Sequence, residues 1–261
     1  MLDLKFCIII PIYNHAIFLD KVICDLIDLN LPIILVDDGS NCEEKDIIAK
    51  CVEKYQDKVD IDLITLYLNQ GKGAALLQGF KKAFNRGFSH ALQVDADGQH
   101  DFNDIKKLMD LSKKYPQDLI SGLPVYDESI PKARLYGRYI THFWVYIETL
   151  SFSIKDSMCG FRCYPLKATC DLISHKDICR RMDFDTDIMV RLYFKGTKSR
   201  FLKTHVIYPQ NGISNFKALD DNIRISIMHT KLVIYMLTHF VSILALKFKP
   251  CATSDTNLNS K

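Results

Sequence analysis

Short, largely apolar segments alternate along the chain with segments of helical spacing, and this order constrains the fold more than any other feature. The apolar segments are Phe6–Ile10, Ile33–Val36, Asp62–Leu68, His90–Val94 and Asp118–Gly122. The helical segments between them are Ala16–Leu29, Glu43–Lys54, Gly73–Asn85 and Asp101–Lys114. Strands that are apolar on both faces are typical of a parallel sheet covered by helices on each side. The sequence therefore predicts an α/β fold with a mostly parallel central sheet.

The composition is that of an ordinary globular protein, because the 261 residues are 48% hydrophobic and 25% charged. This length is sufficient for one large buried core. A net charge of +3, spread along the chain, does not predict a nucleic-acid partner. The 9 cysteines include no Cys-x-x-Cys pair, and no secretory leader precedes the first strand. We therefore expect reduced cysteines and a cytoplasmic protein.

The character of the chain changes after the fifth predicted strand, and this divides it into segments. Residues 1–122 hold the alternating strands and helices, whereas residues 123–221 are rich in aromatic and arginine side chains. Residues 222–248 form a long apolar helical pattern, and residues 249–261 predict a disordered tail. The apolar stretch Leu232–Leu246 is shorter than the roughly 20 residues of a membrane span. We expect residues 222–248 to form either a core helix or a helix at a membrane surface.

Polar residues follow three of the predicted strands at the point where each strand ends. They are Pro11-Ile12-Tyr13-Asn14, Asp37-Asp38-Gly39-Ser40 and Asp95-Ala96-Asp97-Gly98-Gln99-His100. Ligands of open parallel sheets bind at the carboxyl ends of the strands. We therefore expect the three clusters to converge on one site at one edge of the sheet.

Asp95 and Asp97 are alternate residues at a strand end, so their charges would repel each other. A divalent cation, Mg²⁺ or Mn²⁺, would compensate them while bridging to diphosphate oxygens, and Gln99 offers a further oxygen ligand. The alternative is a solvated Asp-x-Asp turn without a ligand.

Two further segments have the residues of anion or acid–base sites. Asn69–Gly73 precedes a helix, so its amides and Lys72 are placed to hold an anion, or else form a plain capped turn. It lacks the glycine pattern of a nucleotide P-loop. Asp183, Asp185 and Asp187 are two residues apart, which is also the pattern of an acidic helix start.

In this order, the clusters resemble the family-two glycosyltransferases of the GT-A fold. The matching segments are Ile10–Asn14, Val36–Ser40, Asn69–Gly73 and Asp95–His100. The last is similar to the metal motif of the dolichyl-phosphate mannosyltransferase and polyprenyl-phosphate glycosyltransferase branch. Asp156–Arg162 and Met182–Asp187 resemble the Gly-Phe-Arg segment and the acidic acceptor-side segment of that branch. The resemblance implies a GT-A domain over residues 1–221.

The resemblance also implies roles for individual residues. Those expected at a UDP- or GDP-linked sugar are Pro11, Tyr13, Asn14, Asp38, Lys72, Gly73, Asp95, Ala96 and Asp97. Those expected at a Mg²⁺ or Mn²⁺ ion are Asp95, Asp97 and Gln99. Apart from the resemblance, Arg134, Arg138 and Arg162 are candidates to bind an acceptor phosphate through paired N–H groups, and the alternative is that they form surface ion pairs. The implied acceptor is a lipid or lipid phosphate, and the implied location is peripheral, on the cytoplasmic face of a membrane.

Members of this family invert the anomeric carbon, which requires stabilising the leaving diphosphate and, for a hydroxyl acceptor, a catalytic base. The metal at Asp97 is expected to stabilise the leaving diphosphate, and Arg162 is expected to bind the acceptor. Asp187 or Asp185 is the candidate base for a hydroxyl acceptor. A lipid phosphate is already anionic and needs no base. Some relatives have Asp where this chain has Gly160, so the glycine fits a phosphate acceptor.

Two other functions are compatible with a nucleotide-binding α/β fold. A sugar nucleotidylyltransferase would need a Gly-rich loop after the first strand, and Pro11–His15 contains no glycine. A non-catalytic sugar-nucleotide-binding or membrane scaffold protein would not need Asp95, Asp97 and Gln99 together. Release of nucleoside diphosphate separates these alternatives from a glycosyltransferase.

Overall fold

The computed structural model describes residues 4–126, 132–206 and 218–246, so the predicted tail at 249–261 lies outside the described residues. Within the described part, seven strands form one sheet in the order β3-β2-β1-β4-β6-β5-β7. The strands are β1 (Phe6–Ile12), β2 (Ile33–Asp37), β3 (Ile61–Thr65), β4 (His90–Gln93), β5 (Leu119–Val125), β6 (Arg162–Pro165) and β7 (Ser199–His205).

Nine α-helices connect or follow these strands in the described part of the chain. They are α1 (Leu19–Leu26), α2 (Cys42–Tyr55), α3 (Lys72–Asn85), α4 (Asp104–Lys114), α5 (Lys132–Thr149), α6 (Leu166–His175), α7 (Phe184–Phe194), α8 (Ala218–Thr238) and α9 (Phe240–Leu246). Short 3₁₀ turns flank α1 on both sides and complete the predicted helical segment Ala16–Leu29.

The sheet is mostly parallel, as the apolar strands predict. β1 pairs in parallel with β2 and β4, β2 with β3, and β5 with β7. β6 is antiparallel to both of its neighbours, β4 and β5. The sequence analysis did not predict β6 or β7, because Arg162 begins the four-residue β6 and Pro165 ends it, and β7 is largely polar.

The first strand continues through Pro11, where the sequence predicts that it ends. Ile8 N donates to Pro32 O and Ile12 O accepts from Asp38 N, so these residues face β2. Pro11 faces the opposite side, towards β4, but pairing with β4 extends only to Ile9. The missing N–H of Pro11 therefore costs no ladder hydrogen bond.

The two faces of the sheet carry separate hydrophobic clusters, because neighbouring residues of a strand point to opposite faces. Ile9 packs with α3 and with residues of α5 to α9, whereas Ile8 and Ile10 pack with α1, α2 and α4. Helix α3 approaches β1 closely at Gly79, where a Cβ atom would lie 2.6 Å from Ile9 Cγ2. This close approach fixes the start of α3 beside the ends of β1 and β4.

The C-terminal helical pattern forms two helices rather than the one predicted over residues 222–248. Helices α8 and α9 meet at about 90°, with the break between Thr238 and Phe240. At the break, the His239 ring stacks on Tyr235 with the ring centroids 4.1 Å apart. Among the described helices, none is by itself long and apolar enough to cross a membrane. The bent pair α8–α9, taken together, has the length and the apolar composition of a membrane span.

Candidate active site

A cavity of about 560 Å³ opens at the carboxyl-terminal edge of β1, β2 and β4. Its walls come from the ends of these strands, the start of α3, the loop before α7 and the first turns of α8. The lining residues are Pro11, Ile12, Tyr13, His15, Asp38, Asn69, Gly71, Lys72, Asp95, Ala96, Asp97, Gln99, Arg181, Met182, Asp220, Asp221 and Arg224. The structure thus brings the three polar clusters together, as expected for strand ends at one edge.

Lys72, the first residue of α3, forms an ion pair with Asp95 in this cavity. Its Nζ lies 2.8 Å from both carboxylate oxygens of Asp95 and 3.4 Å from Oδ2 of Asp185. Burial pulls the pKa of Lys72 down, but the charges of Asp185 and Asp95 outweigh burial and raise it. Burial raises the pKa of Asp95, and Lys72 more than reverses this. The sequence predicts a metal ion as the counter-charge of Asp95, whereas the structure supplies Lys72.

Asp97 has no cationic partner among the described side chains. Its Oδ1 accepts a hydrogen bond from Gln99 N at 3.1 Å. Burial, and then the negative charge of Asp95, raise the pKa of Asp97. No group of three or more His, Cys, Asp or Glu side chains suited to a metal ion occurs among the described residues. The residues present fit a divalent cation with Asp97 as its carboxylate ligand, because such a charge would relieve the repulsion from Asp95.

Asp38 shapes the cavity through the loop that precedes α3. Its carboxylate accepts hydrogen bonds from Gln70 N at 2.8 Å, Gly71 N at 2.7 Å and Asn69 Nδ2 at 3.0 Å. Burial raises the pKa of Asp38, and the two backbone N–H donors partly oppose this. Gly71 is required here, because its φ is 104° and a Cβ atom would clash with the backbone oxygen of Arg180.

Two residues expected at the nucleotide sugar do not line the cavity. Asn14, with a φ of 47°, accepts from Asn41 N at 2.9 Å and donates its own N–H to Ser40 Oγ, so it joins two loops. Gly73 packs against α7, since a Cβ atom there would lie 2.6 Å from Phe184 Cβ. The structure corrects both expectations: these residues hold the walls of the cavity and do not face into it.

Arg162 is wholly buried, which corrects the expectation that it meets the acceptor. Its guanidinium donates to the backbone oxygens of Asp185 and Ser157 at 2.6 and 2.7 Å, and to the Tyr164 hydroxyl at 3.3 Å. The sequence indicates an arginine beside the acidic segment, but β6 directs this side chain into the core. Arg162 therefore holds the backbone of Asp185 in place from the core of the protein.

Arg138 is held by neighbouring side chains. Its Nε donates to the Tyr126 hydroxyl at 2.6 Å and lies 3.2 Å from Asp156 Oδ2. Asp156 also accepts from the backbone N–H groups of Met158 and Cys159, so it fixes the turn before β6. Arg138 does not line the cavity, and its contact with Asp156 is that of the ion-pair alternative. The third arginine expected at the acceptor, Arg134, has a side chain outside the described residues.

Of the two candidate bases, only Asp185 lies beside the cavity cluster. Asp187 is fully buried, pairs with Arg191 at 2.6 Å and accepts from Cys179 N at 2.9 Å. Burial raises its pKa, and Arg191 opposes this. The structure therefore corrects the expectation for Asp187. Asp185 lies next to Lys72 and accepts from Gln93 Nε2 at 3.3 Å.

The sequence analysis missed the cavity residues contributed by the second half of the chain. These are Arg181 and Met182 before α7, and Asp220, Asp221 and Arg224 in the first turns of α8. Arg181 Nη1 donates to Asn69 Oδ1 at 3.1 Å, which ties it to the loop that Asp38 holds. In the sequence, Arg181 is indicated only by its position two residues before Asp183, the first residue of the acidic triplet. Nothing in the spacing of α8 distinguishes its cavity side from its core side.

The fold and this strand-edge cavity define an α/β glycosyltransferase domain of the GT-A class. Residues 7–170 match the family described as Glycosyl transferase family 2, and the chain belongs to that family. It is 29% identical over 201 residues to a dolichyl-phosphate beta-glucosyltransferase of Dictyostelium discoideum, covering 70% of this chain and 60% of the relative. It therefore spans less than two thirds of that relative's length.

Another relative and two solved structures extend the comparison. A UDP-N-acetylglucosamine–dolichyl-phosphate N-acetylglucosaminyltransferase of Methanococcus voltae is 28% identical over 64% of this chain and 72% of its own length. Glucosyl-3-phosphoglycerate synthase of Mycobacterium tuberculosis, with Mn²⁺, UDP and phosphoglyceric acid, superposes with a TM-score of 0.63 at 12% identity, over 96% of this chain and 81% of that one. S. aureus TarS with UDP-GlcNAc gives 0.61 at 15% identity, over 91% and 73%. The two structures share the fold.

Proposed function

We propose that this protein is an inverting, metal-dependent glycosyltransferase that moves a sugar from a nucleoside diphosphate to a lipid phosphate. The observation that carries the proposal is the cavity cluster in which Lys72 neutralises Asp95 and leaves Asp97 without a cationic partner among the described side chains. The names of the relatives, which include transfer to dolichyl phosphate, support the acceptor class.

The donor would occupy the strand-edge cavity, whose volume of about 560 Å³ is in the range of small-molecule sites. Pro11 and Tyr13 offer an apolar edge and an aromatic ring for the base, next to the loop that Asp38 holds. Ala96 lies between the two aspartates, where a small side chain leaves room for the diphosphate. These contacts suit a UDP- or GDP-linked sugar and do not select between them.

The charges of the cavity support a divalent cation. Its lining holds five carboxylates and three cationic side chains of Lys and Arg, yet the substrate is an anion. Mg²⁺ or Mn²⁺ held by Asp97, with Gln99 beside it and Asp95 behind, would stabilise the charge that develops on the leaving diphosphate. Lys72 keeps Asp95 ionised and fixes its position. Mn²⁺ in the M. tuberculosis synthase is consistent with this assignment.

The acceptor that we propose, a lipid phosphate, removes the need for a catalytic base. A phosphate oxygen is already anionic, so in-line attack on the anomeric carbon needs positioning but no proton transfer. Gly160 provides no carboxylate at this point. If the acceptor were a hydroxyl, Asp185 would be the base, since it is the candidate that lies beside Lys72.

The protein would act as a peripheral protein at a membrane surface, where its lipid acceptor lies. Helices α5, α8 and α9 expose large apolar side chains: Tyr136, Tyr139, Ile140, Phe143, Trp144, Leu219, Ile223, Ile227, Ile234, Leu237, Phe240 and Val241. We call these residues the apolar face. The described exposed positions of α5 carry no charge, and Tyr and Trp are the side chains favoured at the lipid–water boundary. Free cysteines suit the cytoplasmic side.

The test uses the full chain, a panel of UDP- and GDP-sugars and a short polyprenyl phosphate, with Mg²⁺ or Mn²⁺ present. We expect one nucleoside diphosphate released for each lipid-linked sugar formed, and loss of both products with a chelator. Release of pyrophosphate would instead indicate a nucleotidylyltransferase. Binding of a nucleotide sugar without any transfer to lipid phosphate would contradict the proposal and indicate a non-catalytic protein.

A further inference from the structure

Arg224, in the second turn of α8, is a cationic cavity residue that the described residues leave without a partner. Its side chain lines the cavity together with Asp95 and Asp97, but it makes no hydrogen bond or ion pair within the described part of the chain. By contrast, Lys72 is committed to Asp95, and Arg181 donates to Asn69 beside the loop that Asp38 holds. Arg224 is thus a cavity cation free to accept a new anion.

Arg224 also lies at the edge of the apolar face. Ile223 is its neighbour in sequence and Ile227 is three residues further on, so in a helix both lie within about 100° of Arg224 around the axis. These two isoleucines are 52% and 50% exposed. The buried side of α8, which includes Met228 and Leu232, points away from them into the core. Helix α8 therefore forms a wall with the donor cavity on one side and an exposed apolar stripe on another.

The position of Arg224 between the cavity and the apolar stripe suits a lipid phosphate, which has an apolar chain and a charged head group. A polyprenyl chain lying along Ile223 and Ile227 would present its phosphate at the junction of stripe and cavity, where Arg224 stands. A guanidinium binds phosphate through two parallel N–H groups, which fixes the orientation as well as the charge. Asp220, one helical turn earlier on the same face of α8, would repel a phosphate from the start of the helix.

We propose that Arg224 binds the phosphate group of the lipid acceptor and presents it to the donor cavity. The inference rests on the proposed function, because it assumes a lipid phosphate acceptor. Arg224 takes the acceptor-binding role that the sequence analysis gave to Arg162 and Arg138. Arg162 is wholly buried, and Arg138 is held by Tyr126 and Asp156. Arg224 has no part in binding the donor.

The test measures equilibrium binding of farnesyl phosphate, a short soluble probe, to the full chain with nucleoside diphosphate and Mg²⁺ present. Arg224→Gln should weaken this binding about 10- to 100-fold, as expected for losing hydrogen bonds to a charged group. Arg224→Lys should recover part of the loss. The matched control is Lys231→Gln, because Lys231 is exposed on the same helix and does not line the cavity. Nucleoside diphosphate binding should change less than twofold in all variants.

Four outcomes decide whether Arg224 binds the acceptor phosphate. Equal affinity of Arg224→Gln and the unmodified chain for farnesyl phosphate would overturn the assignment. Equal weakening of nucleoside diphosphate binding would place Arg224 on the donor and overturn it as well. Farnesol, which lacks the phosphate, should bind alike to both proteins. If farnesyl phosphate binding depends on Arg224 but the chain transfers no sugar to any polyprenyl phosphate, the proposed function fails while the binding site stands.

Discussion

Lys72 occupies the space that any side chain at position 160 would need, and Gly160 leaves that space open. A Cβ atom built on Gly160 would lie 2.8 Å from Lys72 Nζ, 2.8 Å from Gln93 Nε2 and 2.9 Å from Asp95 Oδ2. The glycine is therefore what allows Lys72 to reach Asp95. A side chain at position 160 and the Lys72–Asp95 pair exclude each other in this arrangement.

Gly160→Ala should impair transfer without unfolding the protein. The nearest atoms are ends of long side chains, which can shift, so we expect the melting temperature to change little. The shift displaces Lys72 from Asp95, and losing a charge-assisted contact costs about tenfold or more in kcat/KM. The control is Gly137→Ala on α5, where a Cβ atom meets nothing within 4 Å. Equal activity of the two variants would show that the Lys72–Asp95 contact is dispensable.

Asp97→Asn should also lower activity without destabilising the fold. Burial and the charge of Asp95 raise the pKa of Asp97, so its ionised form destabilises the fold at neutral pH. The amide removes this charge, and we expect an unchanged or higher melting temperature. Transfer should fall by about 100-fold or more, because the carboxylate ligand of the metal is lost.

The control for Asp97→Asn is Asp110→Asn, which removes an exposed carboxylate that pairs with Lys113 on α4. That variant should keep full activity and its usual response to Mn²⁺. A nucleoside diphosphate at about 100 times its dissociation constant should stabilise the unmodified chain by roughly 2.7 kcal/mol, and a chelator should abolish most of this. Stabilisation that survives the chelator, or near-normal transfer by Asp97→Asn, would argue against a metal at this position.

The sequence predicts the half of the site that lies on the parallel strands. Continuous apolar runs identify β1, β2 and β4, and polar residues directly after such strands must meet at one edge. The spacing therefore predicts that Asp38, Asp95 and Asp97 lie at this edge, whereas their roles and that of Lys72 at a nucleotide sugar are implied by the family resemblance. For these residues the backbone determines the location of the side chain.

The other half was not predicted, because it depends on side-chain direction and on long-range packing. Arg162 lies in the core because β6 is buried on both faces, and four residues are too few to show a strand period. Asp185 and Asp187 both begin α7, yet one lies beside Lys72 and the other pairs with Arg191 in the interior. The contribution of Arg224 depends on how α8 packs against α5 and α7, which no local pattern records.

Arg162→Gln should destabilise the fold and not merely weaken acceptor binding. The substitution removes the guanidinium donors to the backbone oxygens of Ser157 and Asp185, and only Ser157 O keeps another side-chain donor, Thr186 Oγ1, among the described residues. A hydrogen bond from a charged group contributes about 1.5–3 kcal/mol, so we expect a loss of a few kcal/mol in the free energy of unfolding. Urea denaturation without ligands measures this directly. A variant as stable as the unmodified chain would indicate that Arg162 is free to act elsewhere.

His90 should make the protein less stable in mild acid. Its ring is buried, with Nε2 3.0 Å from Pro116 O and Nδ1 3.0 Å from Ser89 Oγ. Burial lowers its pKa, and the Pro116 carbonyl partly opposes this. Because the folded pKa lies below the unfolded value of about 6.5, the contribution is complete above that pH and is lost as pH falls through the folded pKa.

The measurement compares the free energy of unfolding of the unmodified chain and of His90→Gln between pH 8 and pH 5. One histidine contributes at most about 1.4 kcal/mol per pH unit to the slope. His90→Gln should flatten the curve in part, since burial also lowers the pKa values of His100 and His142. Parallel curves for the two proteins would mean that His90 does not carry the acid sensitivity.

Phe143→Ser should weaken binding to lipid vesicles, because Phe143 lies at the centre of the exposed side of α5. It is 61% exposed, and Ile140 and Trp144 flank it. Moving a large apolar side chain out of water contributes about 1.5–3 kcal/mol, so its loss should reduce the partition coefficient by roughly tenfold or more. Sedimentation with vesicles of mixed zwitterionic and anionic lipids measures this. The matched control is Phe84→Ser on α3, which removes an exposed phenylalanine outside the apolar face.

Added salt should weaken vesicle binding of the unmodified chain only partly, because the apolar face does not depend on charge. If Phe143→Ser and Phe84→Ser bind vesicles equally, α5 does not contact the lipid. If instead Phe143→Ser converts an oligomer into a monomer in sedimentation velocity, the apolar face is an interface between copies of the chain. Helix α8 belongs to both the apolar face and the cavity. If Phe143→Ser weakens vesicle binding and Phe84→Ser does not, the opening of the cavity therefore lies at the membrane.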